Sequence, residues 1–420
     1  MATIMISSVK DLSSNFKNFV FGYKAMTIQK NILWFIFSIV LLCVTVLGFA
    51  LTPLLTKATT LHVDGSKIVD EYGNEVKLRG FELWINDYGY GFGDREPYAP
   101  QWVHDKYMPL TLDHLKQIKR WGFNVVQLSS WWTGFKGVSE PYEDQPQVYS
   151  EQGLAITLEL IRMAREAGLY VIFNINVCFD PDYAVSGDYP WYGWATNDYV
   201  VFNQLDSSGQ RGLERFCKYL EWITQNVQGE PNVVGIQPWH FPYHRETMDD
   251  ERRKRYFNDV VPAMIQAVRK HTDKIIFTSP PHLGHFDYNN HPSPFKDSNI
   301  VYNSGGYGYH DMMVKGADQT WDYDVSKITH PHPSWRTFRD KYNVPIFSAE
   351  GPGICREVRS EQDKLDLFDA LLTIMDDMSG WIVWTYSGPG SNLGVLESEN
   401  ANDPASEGQV VEILKKHTPP

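Results

Sequence analysis

Basic residues are in the minority: 38 Lys and Arg stand against 51 Asp and Glu, for a formal net charge of −13. A face that binds nucleic acid must neutralise phosphates with cations, so this balance excludes nucleic acid as a partner. Cysteine is scarce. Of the four present, Cys43 lies in an apolar stretch, and Cys178, Cys217 and Cys355 cannot all pair with one another. None stands in C-x-x-C or finger-type spacing, so buried free thiols are indicated rather than a disulfide scaffold or a zinc knuckle. No Gly-rich phosphate fingerprint follows the first candidate strand, which argues against a dinucleotide-binding sheet. The chain has no internal repeat and no low-complexity tract.

Charge is wholly absent from one long segment. From Ile32 to Leu51 only Ser38, Thr45 and Gly48 interrupt an apolar run. As a helix, about 20 such residues span about 30 Å, the thickness of a bilayer core. Residues 1–52 carry Lys10, Lys17, Lys24 and Lys30 against Asp11, a net +3, which leaves the remaining chain at −16. Lysines ahead of the apolar run place the N-terminus in the cytoplasm and the body outside it. The expected organisation is a basic cytoplasmic segment 1–31, a transmembrane signal-anchor helix 32–51, a linker 52–60 and an extracytoplasmic body 61–420. A cleaved signal peptide stays open as an alternative, with Gly48-Phe49-Ala50 as its cleavage site.

The body is rich in aromatics, 14% of the chain with 14 Trp, whose flat faces suit both cores and sugars. Short apolar runs alternate with amphipathic stretches. Candidate strands are Val76–Phe81, Val125–Ser129, Tyr170–Asn176, Val233–Pro238, Lys274–Ser279, Ile300–Ser304, Pro345–Ala349 and Gly380–Tyr386. Continuous apolar runs of this length fit parallel strands buried on both faces. Candidate helices are Thr111–Trp121, Glu151–Ala167, Leu213–Val227, Glu251–His271, Ser334–Lys341, Gln362–Met378 and Gly408–Lys416. The fifth crossover, Pro280 to Asn299, is rich in Pro, His and Asn and is expected to be mostly loop. Eight strands with alternating helices predict an α/β fold, a (β/α)8 TIM barrel preceded by one transmembrane helix, with chemistry at the C-terminal strand ends.

Six motifs, in order, carry a resemblance. The opening run Leu61-His-Val-Asp-Gly-Ser-Lys-Ile-Val-Asp-Glu-Tyr-Gly-Asn-Glu-Val-Lys-Leu-Arg-Gly80 is followed by Gly122-Phe-Asn-Val-Val126, Gly168-Leu-Tyr-Val-Ile172 and Pro231-Asn-Val-Val-Gly235. Val344-Pro-Ile-Phe-Ser-Ala-Glu-Gly351 and Gly380-Trp-Ile-Val-Trp384 complete the set. Together they resemble glycoside hydrolase family 5, the cellulase and mannanase group, over residues 61–416. The resemblance implies a small hairpin closing the barrel floor. It also implies a retaining mechanism with two carboxylates, an acid/base after strand four and a nucleophile after strand seven.

On that resemblance Glu350 occupies the nucleophile position and Trp384 the sugar-stacking platform of strand eight. The acid/base position falls on Phe241, which has no proton to give, and the Asn before it on His240. Gln127 stands for the Arg after strand two that orients the nucleophile, and Asn176 for the His after strand three. In Gly305-Gly306-Tyr307 the Tyr after strand six is kept and its His is lost. Trp84 and Trp131 are further candidate sugar contacts.

Three readings follow. The first is a barrel that binds β-linked oligo- or polysaccharide without retaining hydrolysis. The second is an active hydrolase with a displaced acid, Glu246 after strand four, or Asp180 or Asp182 after strand three. The third is a metal site built from His240, His244, His282, His285 and His310. The first two call for no cofactor and no metal.

Overall fold

The computed structural model describes residues 60–84, 110–131, 151–176, 212–240, 253–254, 256–278, 288–304, 313–315, 321–323, 334–349, 351–352, 360–383, 386 and 408–418. The segment 1–31, the expected membrane helix 32–51 and nearly all of the linker lie outside these residues. Among the described residues no helix is long and apolar enough to cross a membrane.

The strands are β1 (His62–Asp64), β2 (Lys67–Val69), β3 (Leu78–Trp84), β4 (Val125–Trp131), β5 (Tyr170–Asn176), β6 (Val233–His240), β7 (Ile275–Thr278), β8 (Ile300–Asn303), β9 (Met313–Lys315), β10 (Trp321–Tyr323), β11 (Ile346–Ser348) and β12 (Gly380–Val383). The helices are α1 (Leu112–Arg120), α2 (Glu151–Glu166), α3 (Gly212–Val227), α4 (Val261–Arg269), α5 (Ser334–Tyr342), α6 (Glu361–Met375) and α7 (Gln409–Lys416). Eight strands close a parallel barrel in the order β11-β12-β3-β4-β5-β6-β7-β8, as the alternation predicts.

Period-two alternation sorts the barrel side chains. Leu78, Val125, Ile172, Ile275, Val301 and Ile382 fill the interior, while Phe81, Val126, Phe173, Ile276 and Trp381 pack outward in the cluster that includes the helices. Gly235 is small because a Cβ there would come within 2.4 Å of the Phe277 ring.

Two of the glycine-led motifs are helix stops. After α1, Gly122 (φ +98) donates to Lys119 O while Phe123 donates to Ile118 O. After α2, Gly168 (φ +76) donates to Arg165 O and Leu169 to Ala164 O. Both are paired carbonyl caps around a left-handed residue, and each sends the chain straight into the next strand. The Asn of two motifs ties the start of its strand to the preceding strand–helix unit. Asn124 Oδ1 accepts from Arg79 N at 2.9 Å and its Nδ2 donates to Lys77 O at 2.8 Å. Asn232 Nδ2 donates to Ile161 O and Leu169 O.

The floor matches the hairpin that the resemblance implies: β1 and β2 pair antiparallel. Asn299 Oδ1 ties it down by accepting from Val63 N at 2.9 Å. Beside it, the ring of His417, just past α7, lies between two carboxylates. Nδ1 meets Asp376 at 2.6 Å and Nε2 meets Asp369 at 2.9 Å. Both ring nitrogens can donate only in the imidazolium form. Burial opposes that charge, but the hydrogen bonds and charges of Asp376 and Asp369 outweigh it and raise the His417 pKa. Arg79 pairs with Asp376 at 3.0 Å, donates to His417 O and lies 5.6 Å over the Trp381 ring.

Several expected boundaries shift. β3 starts at Leu78 and runs three residues past Phe81, because its inward Glu82 is accommodated inside the barrel. β6 continues through Pro238 to His240, with register shifts against β5 that absorb the missing N–H. The expected helix Glu251–His271 carries a π turn at Tyr256–Val260 before α4. The hairpin β9–β10 has no counterpart in the sequence reading. In the fifth crossover the described part holds one 3-10 turn, Tyr288–Asn290, in keeping with a loop. Cys217 is free and half-buried, its thiol pushed up to about 12 by burial; the other three cysteines lie outside the described residues.

Candidate functional site

The C-terminal ends of four adjacent strands carry four of the expected site residues. Trp84 is in register with Ser129, Trp131 with Asn176, and Asn176 with His240. The backbones of Trp84, Trp131, Asn176 and His240 therefore share one end of the barrel, across β3 to β6. Phe241, Glu246, Tyr307, Glu350 and Trp384 lie outside the described residues, as do Asp180, Asp182, His244, His282, His285 and His310. Phe241 directly follows β6 and Trp384 directly follows β12.

The residues on either side of Glu350 are held by named bonds. Ala349 N donates to Asn303 Oδ1 at 2.9 Å, and Gln127 Nε2 donates to Ala349 O at 2.9 Å. Gln127 thus reaches across the interior from β4 to the end of β11, toward the residue that the resemblance pairs with it. Ser348 Oγ donates to Gly351 O at 3.1 Å, and Gly351 forms a bridge with Ile382 on β12. Gly351 sits at φ +92, where a side chain would be strained.

Beneath the mouth lies a polar layer of which only Gln127 was named from the sequence. Glu82, Gln127, Ser129, Asn174 and Gln237 are all fully buried. Asn174 Nδ2 donates to Ser129 Oγ at 2.8 Å, and Ser129 Oγ donates to Glu82 Oε1 at 2.5 Å. Gln127 Oε1 and Asn174 Oδ1 have no hydrogen-bond partner among the described residues. The available signal was polar residues at inward positions of otherwise apolar strands, two apart in Gln127 and Ser129. Such a layer offers donors, acceptors and one carboxyl for holding a polar ligand's neighbours in place. Among the described residues no group of three or more His, Cys, Asp or Glu could hold a metal.

Comparison with known proteins agrees with this geometry. The model of the cellulase family, glycosyl hydrolase family 5, matches residues 69–389. A glucosylceramidase of Aspergillus fumigatus is 26% identical over 128 residues, 27% of this chain and 16% of that protein. Cellulase/esterase CelE of Acetivibrio thermocellus is 22% identical over 312 residues, 69% of this chain and 35% of that protein. The chain therefore spans about a sixth of one curated relative and about a third of the other. Endoglucanase Cel5A of Pseudomonas stutzeri superposes with a TM-score of 0.58 at 15% identity, covering 84% of this chain and 96% of that one. Cel5A of Thermotoga maritima, solved with mannotriose, gives 0.57 at 15% identity, covering 81% and 97%. With a closed eight-stranded barrel, the ends of β3 to β6 at one mouth and the family model matching residues 69–389 of the 420, this chain belongs to glycosyl hydrolase family 5.

Proposed function

We propose that this protein binds β-linked oligo- or polysaccharide at the C-terminal mouth of its barrel and does not perform the family's retaining hydrolysis. The observation that carries the reading is Phe241, the residue directly after β6, at the proton donor's position. Without a donor the leaving oxygen departs as an alkoxide, and general acid assistance is worth roughly 10²–10⁴-fold. Gln127 supports the same reading. It is neutral where a guanidinium would favour the ionised nucleophile, and it spends its donor on Ala349 O. Glu350, Trp384, Tyr307, His240, Asn176, Trp131 and Trp84 are the residues proposed to meet the sugar. Mannotriose and cellobiose occur in neighbouring structures and are the first ligands to test; β-glucosylceramide joins them on the strength of the glucosylceramidase match.

The test compares natural oligosaccharides with a dinitrophenyl glycoside, whose leaving group needs no proton. The expected result is binding of the natural sugars, lost on Trp384→Ala, with no turnover of them. Phe241→Glu combined with His240→Asn is the variant in which turnover could appear. Efficient hydrolysis by the native chain, abolished by Glu246→Gln, would overturn the non-hydrolytic reading and place the acid at Glu246.

The uncharged run Ile32–Leu51 and its preceding lysines support a single-pass anchor with the barrel outside the cytoplasm. Protease added to intact cells is expected to remove the barrel and leave a membrane stub. A protected barrel, or one free in the medium, would refute that topology.

A further inference from the structure

We infer that Gln127 and Asn303 are positioning residues that clamp Ala349 from opposite sides and so set where the chain presents Glu350. This rests on reading Glu350 as the working carboxylate of the sugar site. Asn303 belongs to no motif identified in the sequence. The strand β11 ends at Ser348, and one residue later its main-chain groups pass from backbone partners to side-chain amides. Ser304 N donates to Phe347 O at 2.8 Å in the ordinary way, but Ala349 N donates to the Asn303 side chain, and Ala349 O accepts from the Gln127 side chain. Ala349 and Gln127 are fully buried, and Asn303 is nearly so.

Both jaws are themselves anchored. The Asn303 carbonyl accepts from Tyr288 OH at 2.6 Å, and Tyr288 N donates to Ser334 Oγ at 2.8 Å, which ties the jaw to the fifth crossover and the first residue of α5. Gln127 sits within β4, three strands along from β11 around the barrel, with β12 and β3 between them. The clamp therefore fixes one residue against both flanks of the barrel. A guanidinium would act on a carboxylate's charge and direction together. An amide bonded to the peptide acts on position alone, and displacement of a binding group by a fraction of an ångström is enough to weaken a site.

Isosteric variants test this: Gln127→Met removes the donor, Asn303→Leu removes the acceptor, and Asn303→Asp keeps it. Hydrogen exchange of the segment 346–352 is expected to quicken about tenfold in the first two, with exchange in α1 unchanged, and to stay near native in the third. Mannotriose affinity, measured well below each variant's Tm, is expected to fall about tenfold in Gln127→Met, and not to fall further when Gln127→Met is added to Glu350→Gln. Unchanged exchange in 346–352, or a rise shared by α1, overturns the clamp. Equal loss of affinity with and without Glu350 overturns its action through that residue. A native chain that binds no sugar while exchange responds as expected fails the sugar-binding reading and leaves the clamp standing.

Discussion

At the floor of the barrel, Arg79, Asp376, Asp369 and His417 hold one another through opposite charges, joining β3 to the ends of α6 and α7. Toward the mouth, Gln127, Ser129, Asn174 and Asn303 are neutral, and they hold backbone or one another through single hydrogen bonds. The one acid among them, Glu82, is reached through a hydroxyl. The contrast teaches a division of labour. Ion pairs fasten distant chain segments at the floor, whereas neutral amides and one hydroxyl hold backbone and a single buried carboxyl toward the mouth.

The comparison breaks first, and hardest, at Arg79. Arg79→Met removes a nearly buried guanidinium from Asp376 and from the His417 carbonyl, and should lower unfolding free energy by about 3 kcal/mol in denaturant titration. A loss near zero would mean that the floor is held by packing alone. At the mouth, Ser129→Ala interrupts the run from Asn174 to Glu82 and should cost about 2 kcal/mol, since two buried polar groups lose a partner. Glu82→Gln, which keeps an acceptor for Ser129, should cost less; the reverse order would make the carboxylate charge itself the important feature.

A smaller effect is tied to pH. The folded pKa of His417 is raised, so its contribution is fully present below its unfolded value of about 6.5 and is lost as pH rises through the folded value. Exchange in α7 should therefore quicken with pH in that upper window beyond its intrinsic trend, and His417→Asn should remove the dependence. An identical pH response in His417→Asn would show that another group controls the helix. The smallest effect is expected on the outer surface. Arg162 meets Glu159 and Glu166 on the exposed face of α2, and Arg162→Ala should leave Tm unchanged, because solvent screens such pairs.

The barrel was legible because its strands are buried on both faces and two of its helices, α1 and α2, end at glycine. β5 falls on its expected bounds, Tyr170–Asn176, where an apolar run is followed by a change of composition. β3 did not, since Glu82 reads as the start of a loop and only the closed barrel shows that a carboxyl can lie inside it. The hairpin β9–β10 has strands of three residues, too short for alternation to register. At the site, Gln127 was legible by its place directly after a motif, but its partner was not. A bond from β4 to the carbonyl after β11 depends on barrel closure, which local pattern does not encode. Asn303 escaped for the same reason.

One feature of the barrel has a kinetic consequence. β3, β4, β5 and β6 are each seven or eight residues long and pair in the order in which they occur along the chain, whereas β7, β8, β11 and β12 have only three or four residues each. The ring closes only when Gly380–Val383 pairs with Leu78–Phe81, segments about 300 residues apart. During synthesis the first four barrel strands leave the ribosome well before the last one exists, and early sequential pairing favours a half-barrel. Until β12 arrives, Leu78–Trp84, paired with β4 on one side only, is an edge strand whose other side is open to pairing with the same edge of another nascent chain.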